Sequence, residues 1–265
     1  YLFSATVRRD GSSRFGSNNK WGIFPSFSAG WKISDELFMQ NITWLSLLKL
    51  RASWGTSGND RIPDYQYMAL MSTSNKTSWG NAVVGGMTHS NIANEDLNWE
   101  STQSSDAGVD ISLFKNRVQF NFDYYRNVTK DLLYQLSIPY TSGFSGYLTN
   151  IGSLENKGWE IDLTTSNLTG NLKWETTLNL STNKQKVLDM GGNPEIRSAS
   201  FDATFLTRVG GPVSQYLVYR TDGILTADDF EANGKTPKVP VMPGQEIGNY
   251  KFVDQPNADG VRDGK

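Results

Sequence analysis

Residues 21–33 read WGIFPSFSAGWKI, and every odd position is apolar: Trp21, Ile23, Pro25, Phe27, Ala29, Trp31 and Ile33. The even positions are mostly small or polar, with Phe24 as the exception. Period two predicts a β-strand with one apolar and one polar face. Length narrows the choice. Strands in water-soluble domains usually run about 5–6 residues, whereas a strand that crosses a bilayer needs about 9–11 at a tilt. Trp21 and Trp31 bracket the apolar face. At ~3.3 Å per residue and a tilt near 40°, roughly 25 Å separates them along a membrane normal. That is the height of the apolar band on a transmembrane barrel, with an aromatic residue at each edge.

The pattern recurs over residues 1–9, 47–57, 99–113, 117–128, 158–167 and 172–184. Trp54, Trp99, Trp159 and Trp174 fall on the apolar side of these segments and join Trp21 and Trp31 as expected membrane-interface aromatics. Charges reach the apolar side only near strand ends, at Arg9, Arg126 and Lys184. Charge is costly at a bilayer midplane and nearly free at its edge, so this placement fits a membrane. An eighth, weaker strand is expected near residues 203–220. The connections alternate in length. Long, polar links occupy residues 10–20, 58–97, 129–154 and 188 onward. The links after the even strands are shorter, at 114–116 and 167–171, with a longer one at 34–46. That last link holds the segment DELF, expected to form one helical turn capped by Ser34. Outer-membrane barrels have short turns on one side and long loops on the other, and a β-sandwich has no reason to sort its loops this way.

Composition narrows the function classes. No run of ~18 apolar residues exists, which excludes a helical membrane protein. A net charge of −2 argues against a nucleic-acid partner. The chain has no cysteine, so it has neither a disulfide framework nor thiol chemistry. The mean hydropathy of −0.46 is compatible with a barrel, because half of each strand faces water. Lipid tolerates no open sheet edge, and these links are longer than a minimal eight-stranded barrel needs. The expectation is an all-β, antiparallel segment of about 7–8 strands from a larger transmembrane barrel.

Seven stretches carry a family resemblance: WGIFPSFSAGWKISDELF (21–38), LLKLRASWGTSGND (47–60), LNWESTQSSDAGVDISLFKNRV (97–118), FDYYRNVTKDLLYQ (122–135), TSGFSGYLTNIGSLENKGWEIDL (141–163), VGGPVSQYLVYRTDGI (209–224) and PGQEIGNYKFVD (243–254). In order and spacing they resemble the barrel of SusC/RagA-type TonB-linked outer-membrane transporters. The resemblance implies a roughly 22-stranded barrel with a plug, of which residues 1–265 form part, with the plug domain and remaining strands absent. It also implies import of oligosaccharides or peptides across the outer membrane of a Gram-negative bacterium. The implied partners are the TonB complex, which would act through the missing N-terminal part, a SusD-like surface lipoprotein that closes over the mouth, and outer-membrane lipid. The alternative is a soluble all-β glycan-binding module.

No catalytic constellation stands out. His89 is the one histidine, and it lies in a loop without a serine or cysteine motif. The Gly85-Gly86 pair lacks the strand-to-helix setting of a phosphate loop. The chain is therefore read as a non-enzyme. Loop aromatics Tyr65, Tyr67, Trp79, Tyr140, Phe144 and Tyr147 are candidates for substrate or partner contact, because such rings combine apolar area with a polar tip. Packing of the loops is the simpler role for most of them. Arg51, Glu100, Asp106, Asp110, Asp123, Glu160 and Asp162 are expected on the polar, lumen-facing side, as a solvated wall. The stretch DQPNADGVRD (254–263) offers a candidate calcium loop through Asp254, Asn257, Asp259 and Asp263, imperfectly spaced. A hydrogen-bonded Asx-rich turn is its simpler reading.

Overall fold

A computed structural model describes residues 1–265 except 201–202, 233–235, 240, 243 and 254–265. The candidate calcium residues Asp254, Asn257, Asp259 and Asp263 lie outside the described residues. Seven long strands form one antiparallel sheet in chain order: β1 (Leu2–Gly11), β2 (Trp21–Lys32), β3 (Leu45–Asn59), β4 (Glu100–Leu113), β5 (Val118–Lys130), β6 (Ser153–Thr169) and β7 (Lys173–Asp189). All seven periodic segments are strands, and most run longer than the alternation alone predicts. β6 and β7 have 17 residues each, which carries them past the ~9–11 needed to cross a bilayer. The region expected to hold an eighth strand is instead a short hairpin, Ala203–Arg208 with Gln215–Leu217, in a separate three-stranded sheet. Gly210 takes a φ of 88° between those strands, a turn geometry that splits the run.

Register fixes the two faces. Trp31 pairs with Leu50, Leu50 with Val109, Val109 with Phe122, Phe122 with Ile161 and Ile161 with Leu180. This apolar row crosses six strands on one face. Phe3 (79 % exposed), Ile23 (65 %) and Phe27 (53 %) lie on that face, and the chain does not cover them. Trp174 stands six residues from Leu180 along β7. Placing Trp31 and Trp174 at one level makes the band fall roughly 20 Å over five strand spacings of ~4.8 Å, a tilt of about 40°. Strands of outer-membrane barrels tilt by this amount. The aromatics are also paired along the face: Tyr1 stacks on Trp31 and Phe27 on Trp54, each at 6.0 Å.

At one end of the sheet the connections are tight. The β2–β3 link makes two 3-10 turns, Ile33–Asp35 and Leu37–Met39, rather than one helical turn. Ser34 lies inside the first turn and does not cap it, because β2 runs to Lys32 and leaves no extended residue free for Ser34 to occupy. Glu36 is extended between the turns and accepts a hydrogen bond from Trp31 Nε1 at 2.8 Å. The β4–β5 turn holds three successive residues at positive φ: Phe114 (52°), Lys115 (61°) and Asn116 (67°). The Ser46 hydroxyl accepts the amides of Lys115 (2.9 Å) and Asn116 (3.3 Å), and Phe114 N donates to Trp44 O at 2.7 Å.

A second compact unit comprises the described residues of 197–206 and 214–253. In it, Thr221–Ile224 pairs with Tyr250–Phe252, and Leu225 and Phe230 are buried. A 3-10 turn, Ala227–Asp229, carries a reciprocal capping box with Thr226. Lys251 Nζ lies 2.5 Å from Asp229 Oδ1. The Lys251 ammonium, followed by the backbone and hydroxyl donors of Thr226, holds the Asp229 carboxyl down to about 2.

Candidate functional site: inner wall and loop mouth

The polar face of the sheet converges on Arg51. Arg51 pairs with Gly108, and Gly108 with Asp123. The guanidinium donates to Asp110 Oδ1 (Nε, 2.9 Å) on the neighbouring strand and reaches across Gly108 to Asp123 Oδ2 (Nη2, 2.6 Å). A Cβ at position 108 would collide with Asp123 Oδ1 and lie 2.9 Å from Arg51 Cζ. The glycine therefore opens the path between β3 and β5. Asp106 lies 3.8 Å from Arg51 Nη1, and Lys49 Nζ is 3.4 Å from Asp110. Six of the seven expected wall charges, Arg51, Asp106, Asp110, Asp123, Glu160 and Asp162, share this face by strand alternation.

Glu100 has a different role. It sits at the loop end of β4, accepts Asn59 Nδ2 from the end of β3 at 3.0 Å and the Leu133 amide at 3.2 Å, and so ties the third loop to the sheet.

The long connections at this end pack on one another. Phe15, Ile62 and Leu97 form a buried cluster, with Tyr67, Trp99, Leu133 and Leu148 against it. The first loop contributes Phe15 and binds the second through Arg14, which donates to Asp64 Oδ1 (3.0 Å) and Asp60 O (3.2 Å). Asparagines join the second loop to the third. Asn94 Nδ2 donates to Leu148 O (3.0 Å), and Asn150 accepts Asn98 N (2.9 Å) while donating back to Asn98 O (2.8 Å). Asn91 accepts Leu70 N and donates to Met68 O, each at 2.8 Å, which shapes the base of a projecting hairpin, Lys76–Trp79 with Ala82–Gly85. None of these loop contacts has a local sequence pattern. Their partners lie up to 54 residues apart.

Between the second and third loops is a cleft of about 540 Å³. Gln66, His89, Asn91, Gln135, Phe144 and Tyr147 line it. Its polar lining consists of amides, an imidazole and hydroxyls, which suit the hydroxyls of a sugar or the amides of a peptide backbone. Of the six candidate contact aromatics, Phe144 and Tyr147 meet here. Tyr65, Trp79 (80 % exposed) and Tyr140 (83 %) project from the loops. Tyr67 packs against the buried cluster.

Trp99 is a correction. It was expected at the membrane edge on the apolar face, but it lies on the opposite face under the loops, with its ring 5.5 Å from Phe24 and 5.3 Å from Phe15. β4 begins only at Glu100, so strand alternation does not govern residue 99. Phe24 faces away from Ile23, and a Cβ on Gly22 or Gly58 would collide with its ring. The two glycines make the slot in which Phe24 meets Trp99. Trp21, Trp31, Trp54, Trp159 and Trp174 remain on the apolar face.

A tilted antiparallel sheet with an uncovered apolar outer face, a charged inner face, tight turns at one end and interlocked loops at the other defines a segment of a transmembrane-type β-barrel. Residues 1–254 match the family model described as TonB dependent receptor-like, beta-barrel, and the chain belongs to that family. It is 39% identical over 255 residues to TonB-dependent receptor P39 of Formosa agariphila, covering 96% of this chain and 24% of the relative. It is 36% identical over 201 residues to TonB-dependent receptor SusC of Bacteroides thetaiotaomicron, covering 74% of this chain and 20% of that protein. Among solved structures, the RagAB peptide importer in its 'closed-closed' state superposes with a TM-score of 0.77 at 27% identity, over 97% of this chain and 27% of the solved one. The chain thus spans about a quarter of the length of these relatives and is a SusC/RagA-type barrel fragment. The family is one of receptors and transporters, not enzymes.

Proposed function

We propose that this chain is one wall and part of the outer mouth of a TonB-dependent importer in the outer membrane of a Gram-negative bacterium. The imported solute is an oligosaccharide or peptide, and a SusD-like lipoprotein covers the mouth. The observation that carries this reading is the joint placement of a family-matched tilted sheet and an amide-lined cleft at its long-loop end. The solved neighbours are named as peptide importers, and SusC supplies the relation to the SusC/RagA group. Both support uptake rather than chemistry at this site. The charged inner wall fits a water-filled or plugged lumen, and energy would enter through TonB acting on segments outside this sequence. The alternative of a soluble binding module leaves the uncovered apolar face unexplained.

The test separates mouth from wall. Replacing residues 76–85 by a two-residue glycine turn in the full-length protein removes the exposed hairpin without touching Phe15, Ile62 or Leu97. Uptake of oligosaccharide or peptide, or co-purification of the lipoprotein, should fall, while the yield of heat-modifiable barrel stays within about twofold of the parent. Uptake and lipoprotein capture both unchanged would remove this loop from the function. A full-length protein that fractionates as a soluble monomer without detergent would overturn the membrane assignment.

A further inference from the structure

One outward-facing feature is used by neither the wall nor the mouth. On β5 and β6 the apolar face ends at Tyr124, paired with Trp159. The next outward row toward the loops holds Arg126, Lys157 and Lys184, with Lys157 directly opposite both of the others. The row beyond adds Lys186, opposite Glu155. Strand alternation puts all of them on the same side as Trp159 and Leu180. Like charges directly opposite on neighbouring strands destabilise a sheet. The carboxylate within the patch, Glu155, is buried between Arg126 Nε (2.6 Å) and Lys157 Nζ (3.2 Å). Four cations thus face one carboxylate. Lys184 and Lys186 are exposed and form no ion pair among the described residues. The acids of the inner wall project from the opposite face and cannot serve as counter-ions.

Position indicates which anion these cations suit. The row lies immediately above an aromatic pair on the long-loop side, the level at which acyl chains give way to headgroups. Three cations on adjacent strands span roughly 10 Å, which matches a phosphorylated sugar headgroup rather than a single small ion. Tyr124 and Trp159 beneath them offer apolar rings to the lipid part. We propose that Arg126, Lys157, Lys184 and Lys186 form a docking site for the phosphate groups of an anionic outer-leaflet glycolipid. The proposal rests on the outer-membrane reading given above.

The test uses the full-length protein in detergent, with phosphorylated lipid A, enzymatically dephosphorylated lipid A and inorganic phosphate as probes, and binding followed by native mass spectrometry. The parent protein should retain phosphorylated lipid A, and the K157Q/K184Q double variant should lose about tenfold or more in affinity. Lys115→Gln, at the tight-turn end, should leave binding unchanged. Dephosphorylated lipid should bind the parent as weakly as phosphorylated lipid binds the double variant. Equal binding of the two lipids to the parent overturns the proposal and needs no variant to fold. Displacement of the lipid by millimolar inorganic phosphate also overturns it, in favour of a small-anion site. A heat-modifiable membrane protein indifferent to lipid phosphate sinks this proposal alone, whereas a parent protein soluble without detergent sinks the membrane reading.

Discussion

The two faces of the seven-stranded sheet are made from the same backbone yet are stabilised in opposite ways. On the outer face, rows such as Leu50–Val109–Phe122–Ile161–Leu180 touch only each other, and the rest of the chain leaves them bare. Their stability comes from a solvent that is itself apolar. On the inner face Arg51 must satisfy several aspartates across two strands, and a glycine is needed to let it. The outer face specifies only a class of residue, whereas the inner face specifies individual atoms. Tolerance to substitution should follow the same division.

The largest expected effect is a charge on the outer face. Phe122→Arg, in the middle of the apolar band of β5, should cost about 2–4 kcal/mol and reduce the yield of assembled barrel. The inner wall should respond to shape. Gly108→Ala places a methyl group between Asp123 and Arg51 and should cost about 1–3 kcal/mol in urea unfolding of the full-length protein. Arg51→Met removes the hydrogen-bonded cation from carboxylates that are largely shielded from water, Asp110 at 17% and Asp123 at 21% exposure, so about 1–2 kcal/mol is expected. Asn121→Arg, one residue from Phe122, should be close to neutral. Asn121 sits between Asp110 and Asp162 in the ladder, and a new cation there meets two carboxylates. Equal damage from Asn121→Arg and Phe122→Arg would show that the faces are not distinct.

The smallest effect is expected in the second unit, at Asp229. Its carboxyl is held at about 2 against an ordinary 3.8. A lowered folded-state pKa contributes stability that is complete above about pH 4 and is lost as pH falls through about 2. Amide exchange of Leu225, which donates to Asn249 O, should become faster relative to its intrinsic rate at each pH, a loss of protection, between pH 5 and pH 2.5. In Asp229→Asn the faster exchange should already be present at pH 5.

The outer face was readable in the sequence because period two records which solvent each residue meets. All seven long strands followed from it. Strand ends were less readable, since β6 continues to Ser153 through residues that do not alternate cleanly. The mouth was the least readable part. An asparagine that bonds a carbonyl 54 residues away leaves no local pattern, and the cleft exists only once two loops meet. The aromatic loop residues were visible as a group, but their division into cleft lining, packing and projecting rings was not. Trp99 shows both the error and its remedy. Counting by twos from Ala107 carried it onto the wrong face, beyond the point where the strand begins. Phe24, the one large apolar residue among the polar positions of WGIFPSFSAGWKI, already signalled that a buried aromatic partner was needed on that side.

The hydroxyl of Ser46 has a consequence for the order of events. Three successive left-handed residues, none of them glycine, cost on the order of 1–2 kcal/mol each, so the β4–β5 turn is a poor hairpin nucleus alone. Its amides find their acceptor at the start of β3. The turn is cheap to form only after β3 has been laid down, which places the β4–β5 hairpin after β3. The β4–β5 hairpin thereby waits for β3, and its closure marks that β3 is already in place.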